Sequence, residues 1–298
     1  MKKRTVILDT DIGTDIDDSW ALAFLLNSPK LDLKLITTAT GDTQYRAVVA
    51  ERILDAAGRT DIPIAVGKPT QGMELALWNY VKDDPRLGHK KYPDAVQAIV
   101  DLVNNSDEPI TLLSIAPLPN IAELLTREPA IASKIDLIGM LGSVYVKYDG
   151  TPGCDPEYNV VKYLKASQQV FGEKRWRSFK ITPIDTCGSV KLTQAQFLEL
   201  EKAGPMMKEV IASNRVWTGW DCFHGELPPT TSTMFDTVAV YMAFSTEWLE
   251  MKKLRLCCDD RGCLVEHPDG AIVDTAIRWK DKEKFLDLLM RRLRVQSR

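Results

Sequence analysis

The chemistry of this chain concentrates in one short stretch, residues 6–26, VILDTDIGTDIDDSWALAFLL. Five carboxylates, Asp9, Asp11, Asp15, Asp17 and Asp18, crowd around Gly13 between the apolar run Val6-Ile7-Leu8 and the apolar segment that starts at Trp20. The first run reads as a buried strand and the second as a packed helix. Aspartates can cap a helix or favour its first turn, but that use absorbs one or two of them. Several carboxylates at the end of a buried strand repel one another unless a cation neutralises them. Oxygen donors with no His or Cys beside them select a hard ion, Ca²⁺ or Mg²⁺.

Strand and helix patterns then alternate. Strand-like segments cover residues 33–40, 62–66, 111–116 and 135–140, with helical periodicity at 46–57, 94–104 and 120–125. That alternation predicts an α/β fold in a single large domain, residues 1–298, with a mainly parallel central sheet and helices on both faces. In such sheets ligands bind beyond the C-terminal ends of the strands. Asp11, Asp42, the Ile115 region and Gly142 all follow strands, so they are expected on one rim. Residues 67–92 lack periodicity and read as a loop over one face. Further on, residues 179–184 read as a strand, and 194–203, 205–217 and 233–245 as helices. Residues 254–258 and 271–277 suggest a late hairpin before an amphipathic helix over 281–293.

The totals set bounds. The chain has 298 residues, 45% hydrophobic and 27% charged, with a net charge of −3. These are values of an ordinary globular protein, and they give no support for a nucleic-acid or membrane partner. The N-terminus runs straight into the first strand with no signal-peptide pattern, which points to a cytoplasmic location; a leader already removed would leave the same start. The six cysteines show no zinc-type spacing, and Cys257-Cys258 read as strand-packing residues of a reduced protein.

The acidic stretch resembles the inosine-uridine preferring nucleoside hydrolase family. The motif DxDxGxDD is present as Asp9-Thr10-Asp11-Ile12-Gly13 and Asp17-Asp18 with two extra residues inside it, followed by Asp17-Asp18-Ser19-Trp20-Ala21-Leu22 for DDxxAL. Ala116-Pro117-Leu118-Pro119-Asn120 stands for GPLTN, Glu157-Tyr158-Asn159 for E-[FYW]-N, and Phe235-Asp236-Thr237-Val238-Ala239-Val240 for HDPxAV. The resemblance covers essentially the whole chain. It implies a nucleoside substrate, a bound Ca²⁺ and a dimer or tetramer. It assigns Asp11, Asp18, Asp236 and the Ile115 carbonyl to the metal, and Asp17 to the general base. It assigns Asp42, Glu157 and Asn159 to the ribose, and Asp9 either to supporting the site from behind the ligands or to a ribose hydroxyl. Glu157 and Asn159, two apart in extended backbone, would share a face with Tyr158 packed behind them. Three departures stand out: Phe235 replaces the His that assists the leaving group, Pro119 replaces Thr, and Thr151-Pro152-Gly153 occupies the place of a ribose-contacting Asn. Tyr158, Trp217, Trp220, His224 and Phe235 are the candidates for contacting the base or assisting its departure. The same residues also fit a weak or inactive nucleoside- or ribose-binding homologue, or a hydrolase of another N-riboside.

Overall fold

The structure is a computed structural model and describes residues 2–72, 74–219 and 228–295. Nine strands form one sheet: β1 (Arg4–Thr10), β2 (Leu31–Thr38), β3 (Ile64–Val66), β4 (Ile110–Ser114), β5 (Ile135–Met140), β6 (Ser178–Thr182), β7 (Leu249–Cys258), β8 (Leu264–Glu266) and β9 (Ala271–Trp279). Their order is β3-β2-β1-β4-β5-β6-β9-β7-β8. From β3 through β9 all neighbours run parallel, and only β7 pairs antiparallel, with β9 on one side and β8 on the other. The late hairpin expected from 254–258 and 271–277 is therefore a pair with a third strand threaded between its halves in sequence.

Alternation of side chains places two cores on the two faces. Val6, Leu8 and Leu113 pack into one, with Trp20, Phe24, Tyr45 and Phe285. Ile7, Leu35 and Leu112 pack into the other, with Ile99, Ile121 and Phe171. A strand buried on both sides must be apolar at successive positions, which is why the sequence runs Val6-Ile7-Leu8. The helix Asp17–Leu26 is buried at every residue but the last, consistent with its lack of a polar face. Among the described residues no helix is long and apolar enough to cross a membrane.

Chain order reverses beside β1, with β2 on one side and β4 on the other. This is the switch point at which the loops after two adjacent strands diverge and leave a crevice. The acidic stretch follows β1, and Ile115, whose N–H donates to the Asp9 carbonyl at 2.9 Å, follows β4. Two glycines shape the rim. Gly13 (φ +100°) lies under the Tyr45 ring, where a Cβ would come within 2.7 Å of a ring carbon, and Gly142 (φ +78°) lies against Leu264.

The expectation of reduced cysteines is corrected. Cys154 and Cys263 form a disulfide with a Cα–Cα distance of 5.9 Å across 109 residues of sequence. Spacing could not show it, because the fold alone brings the loop after β5 against the β7–β8 turn. Cys257 and Cys258 do lie in a strand, with free thiols. A native disulfide contributes about 2–4 kcal/mol, so Cys154→Ser is expected to lower the thermal midpoint by several degrees. The disulfide-free variant should also lose its response to dithiothreitol, and a wild-type midpoint unmoved by the reductant would contradict the pairing.

Candidate active site

One cavity of about 360 Å³ opens at the switch point. It is lined by Asp11, Thr14, Asp15, Asp17, Asp18 and Ile115 from the β1 and β4 ends, by Met140 at the end of β5, by Tyr148, Glu157, Tyr158 and Asn159 after it, and by Trp217, Phe235 and Asp236. Residues more than 200 positions apart in sequence thus share one wall.

The aspartates are not helix caps. Ile16 stands at the N-cap of the helix Asp17–Leu26 and makes no side-chain capping bond, and Asp236, at the N-cap of the helix Thr237–Met242, makes none either. Oxygens of Asp17, Asp18 and Asp236 lie within 4.8 Å of one another, all buried. Burial, and then repulsion from neighbouring aspartates, pushes all three carboxyls well above the usual carboxylate range. Asp11 lies in the same cavity outside that tightest group; burial raises it to about 6 against the opposing pull of the Arg46 guanidinium. Arg46 is itself fully buried and donates to the carbonyls of Asp11, Ile12 and Thr40, so it pins the acidic loop from below. Thr10 donates its hydroxyl to Asp18.

Such a set fits a hard cation. The donors are all oxygen, they converge, and their like charges are unmatched within the cluster. Asp9 offers a second sign of charge stress beneath the cavity. Its Oδ1 accepts from Thr37 (2.6 Å) and Asn120 (2.8 Å), while its buried Oδ2 has no partner among the described residues. Burial raises its carboxyl to about 7.

Asp9 lies in the supporting place, one of the two expected for it: it shares the face of Ile7, turned toward the helix Pro119–Arg127, and does not line the cavity. Asp42 does not line it either: its carboxylate accepts the N–H groups of Gln44 and Tyr45 and caps the helix Thr43–Ala56. Residues 157–159 are not extended. Glu157 is the N-cap of the short helix Tyr158–Val161, and Asn159 lies on its first turn. The Glu157 carboxylate accepts from Gly142 N (2.7 Å) and Asn159 N (2.8 Å), with burial holding its pKa at about 7. The Asn159 amide donates to the Met140 carbonyl at 3.1 Å and reaches the Ile115 carbonyl at 3.5 Å. Tyr158 does not pack behind its neighbours. It lines the cavity and donates its hydroxyl to Glu74, which also pairs with Lys162. Residues 67–92 are accordingly not a plain loop: they hold the short helix Trp78–Val81, and Glu74 ties the segment to the site. Trp217 and Phe235 line the cavity, whereas Trp220 and His224 lie outside the described residues.

Sequence reasoning gave no role to Asp15, Thr14, Met140, Tyr148, Arg46 or Glu74. Asp15 belonged to the acidic run and carried a signal. The others are placed by tertiary contacts with no local pattern.

The chain matches the model of the inosine-uridine preferring nucleoside hydrolase family over residues 6–287. It is 31% identical over 208 residues to a pyrimidine-specific ribonucleoside hydrolase, RihA, of Photobacterium profundum, covering 66% of this chain and 64% of that protein. It is 34% identical to a non-specific ribonucleoside hydrolase, RihC, of Salmonella paratyphi A over 56% of this chain and 57% of the relative. The match thus spans less than two thirds of the length of these relatives. Among solved structures, a plant nucleoside hydrolase superposes with a TM-score of 0.80 at 22% identity, covering 97% of this chain and 98% of that one. An inosine-guanosine nucleoside hydrolase superposes at 0.79 and 17% identity, covering 98% and 99%. These two likenesses show the fold. The chain belongs to the inosine-uridine preferring nucleoside hydrolase family.

Proposed function

We propose that this family member is a Ca²⁺-dependent N-ribohydrolase that cleaves the N-glycosidic bond of a ribonucleoside to free base and ribose, with inversion at the anomeric carbon. The observation that carries the reading is the meeting of Asp17, Asp18 and Asp236 in a cavity that also presents Asp11, Glu157 and Asn159. Asp11, Asp18, Asp236 and the Ile115 carbonyl would hold the ion. Bound there, Ca²⁺ would supply charge neutralisation and acidify a water molecule.

The protein groups divide the remaining work. Asp17 accepts the proton of the attacking water, a role that a buried carboxyl with a raised proton affinity suits better than an exposed one. Asp17 and Asp18 are neighbours on a helix, so their side chains diverge by about 100°, and one can ligate while the other faces the water. Glu157, fixed by two backbone N–H groups, and Asn159 meet ribose hydroxyls. No second carboxylate is needed as a covalent nucleophile, which is the logic of single displacement. The aromatic residues Tyr148, Tyr158, Trp217 and Phe235 form the surface that would receive a flat base.

A second reading, a nucleoside-binding homologue with little or no turnover, draws support from Phe235 alone; a pure binder has no use for Asp17 beside the ion site. A third changes the substrate to another N-riboside. A purine and pyrimidine nucleoside panel, scored by reducing-sugar release with and without chelator, tests all three. Chelator-sensitive release supports the first, and tight binding with no release from any nucleoside supports the second. Assembly as a dimer or tetramer and a cytoplasmic location belong to the same reading, the former checked by light scattering.

A further inference from the structure

Breaking the bond between the anomeric carbon and the base leaves its electron pair on the base nitrogen, so a neutral product needs a proton from somewhere. Asp11, Asp17, Asp18 and Asp236 serve the water and the ion, and the Asp15 carboxylate accepts the Ile16 N–H. The remaining lining residues with aromatic rings are Tyr148, Tyr158, Trp217 and Phe235. Phe235 has no exchangeable proton. The Trp217 indole N–H can donate a hydrogen bond but does not act as an acid. Tyr158 has committed its hydroxyl proton to Glu74.

Tyr148 differs. Its hydroxyl oxygen accepts the Tyr158 N–H at 3.3 Å, and no group among the described residues accepts its own proton. Its ring stands edge-on to Phe235, with centroids 6.2 Å apart and planes at 82°. Both rings line the cavity, so Tyr148 is a hydroxyl-bearing ring beside the position where Phe235 offers no donor. Half of the Tyr148 residue surface is exposed, while burial of its phenol and then the Glu157 carboxylate push its pKa up, so the hydroxyl holds its proton before the step.

The loop that carries Tyr148 is braced rather than free. Lys147 N donates to Thr151 O (2.9 Å) and Gly153 N to Tyr145 O (2.8 Å), which closes a tight hairpin. Tyr148 N donates to Asp155 at 2.9 Å, and Asp185 accepts from the N–H groups of Val144 and Tyr145. The disulfide at Cys154 anchors the loop's far end to the β7–β8 turn. A donor held on both sides is pre-positioned, which is what proton delivery at a fixed point requires.

We propose that Tyr148 is the proton donor to the departing base; the inference rests on the N-ribohydrolase reading. In the step, the bond from carbon to base nitrogen breaks with both electrons going to the nitrogen, and the Tyr148 O–H proton joins the base. A bond forms between water oxygen and the same carbon while Asp17 takes the water's proton. Asp17 then releases one proton to solvent and the Tyr148 phenolate takes one back, so nothing is consumed beyond water and nucleoside.

The test compares leaving groups in the full-length protein with Ca²⁺ present. Inosine and uridine need protonation to depart, whereas 4-nitrophenolate leaves a riboside as a stable anion. Tyr148→Phe is expected to lower kcat on inosine or uridine by about 100-fold, the usual share of a general acid, while changing kcat on 4-nitrophenyl β-D-ribofuranoside by less than about threefold. Equal losses on both substrate types would show a packing role and overturn the proposal, as would no loss on either. The same leaving-group dependence appearing in His224→Gln and not in Tyr148→Phe would move the role to His224 and overturn it too. A wild-type protein that cleaves the nitrophenyl riboside but neither nucleoside overturns proton delivery and leaves the water-activating half standing. One that cleaves none of the three overturns the N-ribohydrolase reading itself.

Discussion

Asp17→Asn should reduce nucleoside turnover by about 1,000-fold, within the range that a positioned general base supplies. The carboxylate lines the cavity, is almost wholly buried and caps no helix, so its removal costs the fold little. Asparagine keeps the size and can still accept a hydrogen bond, but it cannot take a proton. Nucleoside affinity, followed by calorimetry, should stay within a few-fold of wild type. Asp17 also lies within 4.8 Å of Asp18 and Asp236, so Ca²⁺ affinity must be measured in the same variant. Turnover within tenfold of wild type, with Ca²⁺ bound, would remove Asp17 as the base.

Stripping the cation is expected to abolish activity and to destabilise the protein in a pH-dependent way. Asp17, Asp18 and Asp236 are held well above the ordinary carboxylate range, first by burial and then by one another. The folded, cation-free chain therefore keeps protons that the unfolded chain gives up above about pH 4. Where the unfolded state binds fewer protons, stability falls as pH rises. Chelated protein should accordingly melt lower at pH 8 than at pH 5.5. At a hundredfold excess over its dissociation constant, a bound cation adds about 2.7 kcal/mol, roughly 4 °C for a chain of this length. The gain from Ca²⁺ should thus be larger at pH 8 than at pH 5.5. Differential scanning calorimetry at the two pH values, with EGTA or excess Ca²⁺, reads this directly, and a chelator effect independent of pH would contradict the charge-stressed cluster. Asp236→Ala should lose the Ca²⁺-dependent gain at both.

How far the site could be read in advance depended on how local each signal was. The β1 end carried its message in adjacent residues: an apolar run, then carboxylates too numerous for capping. The parallel sheet was legible from alternation, and the strand over 135–140 lies where the periodicity put it. Asp42 was ambiguous because an acidic residue after a strand and ahead of a helix serves equally well as a cap, and two backbone N–H groups donate to its Oδ1 here. Glu157 shows the same ambiguity from the other side: it caps its own short helix and still lines the cavity. Tyr148 was invisible because its position comes from a hairpin, an aspartate at 185 and a cysteine at 263, and no local pattern encodes those three together.

The sheet order has a consequence for how the molecule is made. β9 lies between β6 and β7, so β6 keeps an open hydrogen-bonding edge until residues beyond 271 have left the ribosome. An open parallel edge invites pairing with another chain. During that interval the nascent polypeptide already carries its acidic residues but lacks the covering strand, so the unpaired edge is most open to wrong partners then. A product cut short after Asp236 would possess every aspartate that lines the cavity and still have no finished scaffold to hold them.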